Sequence, residues 1–102
     1  MKPFSPYQHI VLGENYGKNL YSILDTKSQL YSPPFVAQND AIAIRMVMDI
    51  LRNPDNNLSR YPEDHQLMVV GFWDEINGDI LPVEKQPKLV DPITKIKQLT
   101  EK

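Results

Sequence analysis

The pattern of apolar and polar residues predicts a β-hairpin in the first third of the chain. Asn19–Leu24 mixes apolar and aromatic residues in the manner of a strand, and Gln29–Phe35 resumes the same pattern. The polar residues between them, 25–28, are typical of a turn. Because Pro33 and Pro34 have no N–H to donate, the second strand is expected to end there or to lie at a sheet edge.

A helix is predicted over Asn39–Leu51, where apolar residues recur at helical spacing. Its apolar face is expected to comprise Ala41, Ile44, Val47, Met48 and Leu51, with Ala43 and Ile50 widening it. The side chain of Asn39 or Asp40 can accept hydrogen bonds from the free N–H groups of the first turn. Asn53 and Pro54 are expected to end the helix.

A second hairpin is predicted from residue 66 onwards. Both faces of Gln66–Trp73 are apolar, which favours a strand in the middle of a sheet or at an interface. Alternation sends Met68, Val70 and Phe72 to one side of this strand and Leu67, Val69 and Trp73 to the other. Asn77 and Gly78 tolerate positive φ and predict the turn, after which Asp79–Leu81 returns as the next strand. The polar segment 55–65 is long for a loop, and such loops often carry function.

These elements predict an α+β fold, in which one helix packs on an antiparallel sheet of about four strands in the order ββαββ. The predicted domain spans residues 18–82. Residues 1–17 are expected to form an irregular N-terminal extension and residues 83–102 a Pro/Lys-rich tail. Within that tail, Asp91 and Pro92 suit the start of a helix, and Ile93, Ile96 and Leu99 give it an apolar side. A short amphipathic C-terminal helix is therefore expected.

Charge is unevenly distributed along the chain. Its 102 residues include 11 Lys and Arg and 13 Asp and Glu, a net charge of −2. Residues 18–82 hold five basic and nine acidic side chains, whereas residues 83–102 hold five basic and three acidic ones. An acidic body opposes a long contact with phosphates, because such contacts depend on cations. Nucleic-acid binding is thus restricted to a local patch or to the tail.

The chain has no cysteine, no signal-peptide pattern and no apolar run of the roughly 20 residues that span a bilayer. We expect a protein without disulfides or membrane contact that works in a cytosol. His9 and His65 are the only histidines, and neither lies in a recognisable nucleophile–base arrangement. The carboxylates of the 55–65 loop match no metal-binding spacing, and Asp25-Thr26-Lys27 is best interpreted as turn chemistry. No catalytic residue, metal or cofactor is expected.

Two kinds of binding surface are consistent with the residues. Single-stranded nucleic acid is bound by aromatic rings beside positive charge, for which the candidates are Tyr21, Tyr31, Arg45, Arg52 and Arg60. A protein partner is bound by large apolar anchors, for which the candidates are Phe35, Phe72 and Trp73. Each of these residues can instead serve the core or a solvated surface. Open sheet edges also pair readily with themselves, so a homodimer is expected.

Several short blocks, taken in order, resemble one family. They are Tyr21–Lys27 (YSILDTK), Tyr31–Phe35 (YSPPF), Asn39–Arg45 (NDAIAIR), Asn53-Pro54, Tyr61–Leu67 (YPEDHQL) and Gly71–Asp74 (GFWD). This set resembles the small nonstructural proteins of gokushovirus-type microviruses, which are tailless phages with single-stranded DNA genomes. The resemblance covers about residues 18–82. It implies a non-enzymatic early phage protein that is found in the host bacterial cytoplasm and is absent from the mature virion.

Three hypotheses about function follow from the resemblance and the residues. The first is an accessory protein that supports synthesis or packaging of the single-stranded genome through contacts with phage replication or packaging proteins. The second is a protein that binds single-stranded DNA directly through the tyrosines and arginines named above. The third is an interaction module directed at a host protein. Binding of labelled DNA separates the first two, and recovery of partners separates the third.

Overall fold

The structure is a computed structural model that describes residues 17–101. Its strands are β1 (Gly17–Asp25), β2 (Leu30–Tyr31), β3 (Phe35–Ala37), β4 (His65–Asp74), β5 (Asp79–Pro82) and β6 (Lys88–Pro92). Its helices are α1 (Asp40–Leu51), α2 (Asn57–Arg60) and α3 (Ile93–Thr100), with a 3₁₀ turn at Pro62–Asp64. The predicted α+β class is confirmed. All but the last residue of the predicted N-terminal extension lies outside the described residues.

The antiparallel sheet has six strands, where about four were predicted, because each edge is divided into two short strands. The long strands β1 and β4 pair along their whole length at the centre. β2 and β3 both pair with β1 on one side, separated by Ser32 and the two prolines that follow it. β5 and β6 both pair with β4 on the other side. The six strands therefore occupy four positions across the sheet, and the predicted hairpins are present within it.

A β-bulge in β4 overturns the side-chain alternation predicted for this strand. Tyr21 lies opposite Val69, but the preceding residue Leu20 lies opposite Gly71, so Val70 is the extra residue. An extra residue exchanges the two faces of every position beyond it. Gly71 also permits a close strand approach, because a Cβ there would lie 2.5 Å from the carbonyl oxygen of Leu81.

Helix α1 begins as predicted. The Asn39 side chain accepts a hydrogen bond from the N–H of Ile42 at 2.9 Å, which satisfies one free donor of the first turn. The buried stripe differs slightly from the predicted one, because Ala43 is fully buried whereas Ala41 is exposed. Its buried members Ala43, Val47 and Leu51 pack against one face of the sheet and against α3.

The segment expected to be a tail contributes to the same core. β6 pairs with β4, and α3 packs against α1, β4 and β6. Ile93 and Ile96 of α3 are completely buried, in a cluster with Tyr21, Val47 and Leu67. The predicted C-terminal helix is present, but the predicted division at residue 82 does not mark the limit of the packed domain. The reason is that β6 fills the sheet edge that the short β5 leaves open.

Candidate partner-binding face

One face of the sheet carries none of the described helices. Tyr21 of β1 and Leu67 of β4 point into the core beneath the helices. Side chains alternate along a strand, so Leu20, Ser22 and Met68 lie on the opposite face. The strand register adds five large apolar residues to that opposite face: Tyr31, Val36, Trp73, Ile80 and Leu89. We call these five residues the open sheet face.

The open sheet face is apolar and accessible at its edges, whereas Leu20, Ser22 and Met68 at the centre of the same side are buried. Four of its residues, at the sheet edges, expose between 39% and 68% of their surface, and Trp73 is half-buried. Trp73 of β4 lies opposite Ile80 of β5, so the two side chains are cross-strand neighbours. Lys18, on the same face, forms a salt bridge with Glu75. Trp73 and Ile80 thus form an apolar pair, and exposed apolar patches mark interaction surfaces in soluble domains.

The structure separates the residues predicted to bind a partner. Phe72 lies opposite Asn19 and therefore points to the helix-bearing side, away from Trp73. Phe35 packs against the core, and its ring stacks on Tyr21 with 5.8 Å between ring centroids. Trp73 alone of the predicted set lies on the open sheet face. Val36, Ile80 and Leu89 were not predicted to lie at a binding surface. Each is an apolar residue in a short strand close to a proline, and that pattern could have indicated them.

Tyr21, predicted as a stacking residue for DNA, is a core residue. It is completely buried, and its hydroxyl donates a 2.6 Å hydrogen bond to Oδ1 of Asp40. The same hydroxyl accepts a 2.9 Å hydrogen bond from Nδ2 of Asn19. Burial and the hydrogen bond to Asp40 raise the pKa of Tyr21 well above its usual range. The ring has no free face for a nucleotide base, so Tyr21 is better assigned to joining β1 and α1.

The three predicted arginines lie on the helices, whereas Tyr31 lies on the edge strand β2. Arg45 and Arg52 belong to α1 and its C-terminal end, and Arg60 ends α2, all on the helix-bearing side. Arg52 forms a 2.6 Å salt bridge with Asp49, and Arg60 approaches Asp55 at 3.8 Å. Arg45 has no salt bridge within residues 17–101. The predicted DNA-binding set is thus spread over the core, the helices and one sheet edge.

A groove of about 360 Å³ lies between the β1–β2 hairpin and α2. Its lining includes the apolar residues Ile23, Leu30 and Leu58, together with Asp25 and His65. Tyr31 also lines it, so this edge residue lies between the groove and the open sheet face. The Asp25 side chain accepts hydrogen bonds from the N–H groups of Ser28 and Lys27, which confirms that this motif is a turn. Those hydrogen bonds, with a smaller effect of His65, hold the pKa of Asp25 below its usual value.

The groove places the Asp25 carboxylate and the His65 imidazole on one surface. Its lining holds no other acidic or basic side chain. Nδ1 of His65 lies 2.8 Å from the Tyr61 carbonyl oxygen, to which it donates in the tautomer that carries the proton there. Across residues 17–101, no three His, Cys, Asp or Glu side chains are grouped so as to hold a metal ion. The same residues contain no helix long and apolar enough to cross a membrane. The most distinctive surface of the domain therefore remains the open sheet face.

The fold and this face define a class, namely small α+β domains that present an apolar sheet surface. Comparison with known proteins defines the family more closely. The chain belongs to the phage ORF5 protein family, whose profile matches residues 18–96. It is 35% identical to Protein ORF5 of Chlamydia phage 1 over 68 residues, which is 63% of this chain and 71% of that relative. No solved structure is significantly similar to it.

Proposed function

We propose that this chain is a non-enzymatic accessory protein of phage genome synthesis or packaging. In this proposal it acts in the host cytoplasm by holding a phage replication or packaging protein on the open sheet face, and it is left out of the finished virion. Membership of the phage ORF5 family supports the phage setting. The observation that carries the mode of action is the group of exposed apolar side chains on one helix-free face.

The chemistry of this face favours a protein over DNA as the ligand. Removing apolar surface from water stabilises a complex by about 25 cal/mol per Å², without any need for ligand charge. A single strand of DNA requires cations beside the stacking rings. Lys18 is committed to Glu75, and Arg45 and Arg52 lie with α1 on the other side of the sheet. A partner with an apolar surface therefore fits this face better than a phosphate backbone does.

A matched pair of substitutions tests the proposal. Ile80 lies on the open sheet face and Ile76 lies in the turn before it, and their exposed fractions are 68% and 65%. The purified chain and its variants Ile80→Lys and Ile76→Lys are immobilised and exposed to purified replication and capsid proteins of the phage that encodes it. The chain is also titrated with labelled single-stranded DNA at two salt concentrations.

The proposal predicts that at least one of these phage proteins is retained by the wild-type chain and by Ile76→Lys. Ile80→Lys is expected to weaken retention by about tenfold or more, since a charge would be buried in the contact. Retention of no phage protein, together with tight and salt-sensitive DNA binding, would overturn the proposal in favour of direct DNA binding. If the wild-type chain and both variants retain a phage protein equally well, the contact lies elsewhere on the chain and the proposed binding face is wrong.

A further inference from the structure

The groove between the β1–β2 hairpin and α2 is a concave surface on the helix-bearing side of the sheet edge. Its volume of about 360 Å³ is at the small end of the range of ligand-binding pockets, which suits one large side chain and its neighbour. Its walls include the apolar side chains of Ile23, Leu30 and Leu58. Because Leu30 exposes 67% of its surface, an incoming group can reach this wall.

Asp25 gives the groove a negative charge. The N–H groups of Lys27 and Ser28 both donate to Oδ1 of Asp25, and neither donates to Oδ2. These hydrogen bonds favour the ionised carboxylate and hold its pKa below the usual value, so Asp25 is charged at neutral pH. Among residues 17–101, no lysine or arginine lines the groove, and none forms a salt bridge with Asp25. A cationic ligand would therefore complement this surface.

His65 adds a hydrogen-bond acceptor beside that carboxylate. It lies opposite Asp25 in the register of β4 and β1, so the two side chains are cross-strand neighbours. Nδ1 of the ring lies 2.8 Å from the carbonyl oxygen of Tyr61, which can accept a hydrogen bond only when Nδ1 carries the proton. In the neutral ring, Nε2 is then left as an acceptor. Two acceptors side by side favour a cation whose N–H donors are spread over more than one nitrogen.

We propose that this groove binds an arginine side chain of a partner protein, and that the groove walls hold an apolar residue next to that arginine. The guanidinium is planar and has several N–H donors, so it can donate to Asp25 and His65 together. Tyr31 also lines the groove and exposes 45% of its surface, and a guanidinium can stack on such a ring. This site is separate from the contact proposed for the open sheet face and is tested independently of it.

Short peptides test the class of ligand. The full chain is labelled with nitrogen-15, and its amide resonances are followed by NMR during titration with the blocked peptides Leu-Arg-Leu, Leu-Lys-Leu and Leu-citrulline-Leu. Lysine keeps the charge without the planar group, and citrulline keeps the planar shape without the charge.

Three variants show where the arginine peptide binds. Asp25→Asn removes the charge but keeps an oxygen that can accept the two N–H groups of the turn. Leu30→Lys places a cation in the groove at an exposed position, where the fold should tolerate it. Asp49→Asn is the control, because it makes the same charge change on α1, which contributes no residue to the groove. Amide resonances far from each substitution confirm that every variant is folded.

The proposal predicts saturable shifts with the arginine peptide at residues 25–32, 57–58 and 65. The other two peptides are expected to bind about fivefold more weakly or worse, and Asp25→Asn and Leu30→Lys should weaken binding of the arginine peptide by a similar factor. Asp49→Asn should bind it as the wild-type chain does, and high salt should weaken binding.

Three results would overturn the proposal. The first is that the groove resonances of the wild-type chain do not shift at the highest soluble concentration of the arginine peptide. The second is that the lysine or the citrulline peptide binds as tightly as the arginine peptide. The third is that Asp25→Asn and Leu30→Lys leave binding of the arginine peptide unchanged, because the peptide would then lie outside the groove.

Discussion

Tyr21 shows how one buried hydroxyl joins a strand to a helix. Its ring lies in the core, and its oxygen connects Asn19 of β1 to Asp40 in the first turn of α1. Sequence alone could not distinguish it from Tyr31, since both tyrosines occur in predicted strands with similar neighbours. Burial depends on which strand position is central, and that information comes from pairing with β4. The same limit explains why the alternation of β4 was predicted wrongly, because one bulged residue leaves no signal in the pattern.

Replacing Tyr21 with Phe tests this assignment. Removal of the hydroxyl leaves the ring in place but deletes both hydrogen bonds, which is expected to lower the free energy of unfolding by about 1–2 kcal/mol. Urea unfolding provides the measurement. Tyr61→Phe is the control. Because the Tyr61 side chain is half-exposed, losing its hydroxyl should change the free energy of unfolding very little. Equal stability of the two variants would contradict the role given to Tyr21.

Gly71 is predicted to be intolerant of any side chain. An added Cβ would collide with the backbone oxygen of Leu81, which no change of rotamer can relieve. Gly71→Ala is therefore expected to lower the free energy of unfolding by about 1–3 kcal/mol, measured by urea unfolding. Shortening the Leu81 side chain to Ala in the same chain should give no rescue, because the clash is with the main chain. Wild-type stability of Gly71→Ala would show that β4 and β5 are less close than described.

The lowered pKa of Asp25 predicts that the stability of the fold depends on pH in the acid range. This pKa is lowered in the folded chain by the N–H groups of Ser28 and Lys27, so the unfolded chain binds the proton more readily. The stabilisation is therefore complete above the ordinary pKa of an aspartate, about 3.9, and is lost as the pH falls through the lower folded value. The stability difference between the wild-type chain and Asp25→Asn should shrink over that acid range. A difference that does not change between neutral and acid pH would contradict the assignment.

At the scale of elements, turn and cap chemistry made most of the fold predictable. Asn39 before α1, the polar turn after β1 and Asn77-Gly78 after β4 each give a local signal, and Gly78 indeed has a φ of +73°. The division of the edges into pairs of strands could not be predicted, because it depends on which short segments reach the sheet. The role of α3 was hidden for a similar reason. Three apolar residues at helical spacing look the same whether a helix is packed or free.

Helix α3 is predicted to be essential to the folded domain. Ile96 is completely buried between α1 and the sheet, so Ile96→Ala should lower the free energy of unfolding by about 2–5 kcal/mol. Leu99→Ala on the same helix is the control, because Leu99 is partly exposed and should cost far less. Thermal or urea unfolding compares the two. A neutral Ile96→Ala would mean that residues 88–100 are a dispensable tail after all.

At the scale of the whole molecule, the domain presents two apolar surfaces on opposite sides of one sheet. The helix-bearing side carries the exposed apolar residues Ile42, Met46 and Ile50 of α1, and the other side carries the open sheet face.

Trp73 reports directly on whether the open sheet face binds protein, because it is the only tryptophan in the chain. The chain is labelled with 5-fluorotryptophan, and its single fluorine resonance is followed during separate titrations with a retained phage protein and with single-stranded DNA. If the face binds protein, the resonance is expected to shift or broaden with the phage protein and to stay unchanged with DNA at low salt. A resonance that responds to DNA in a salt-dependent way, and to none of the phage proteins, would contradict it.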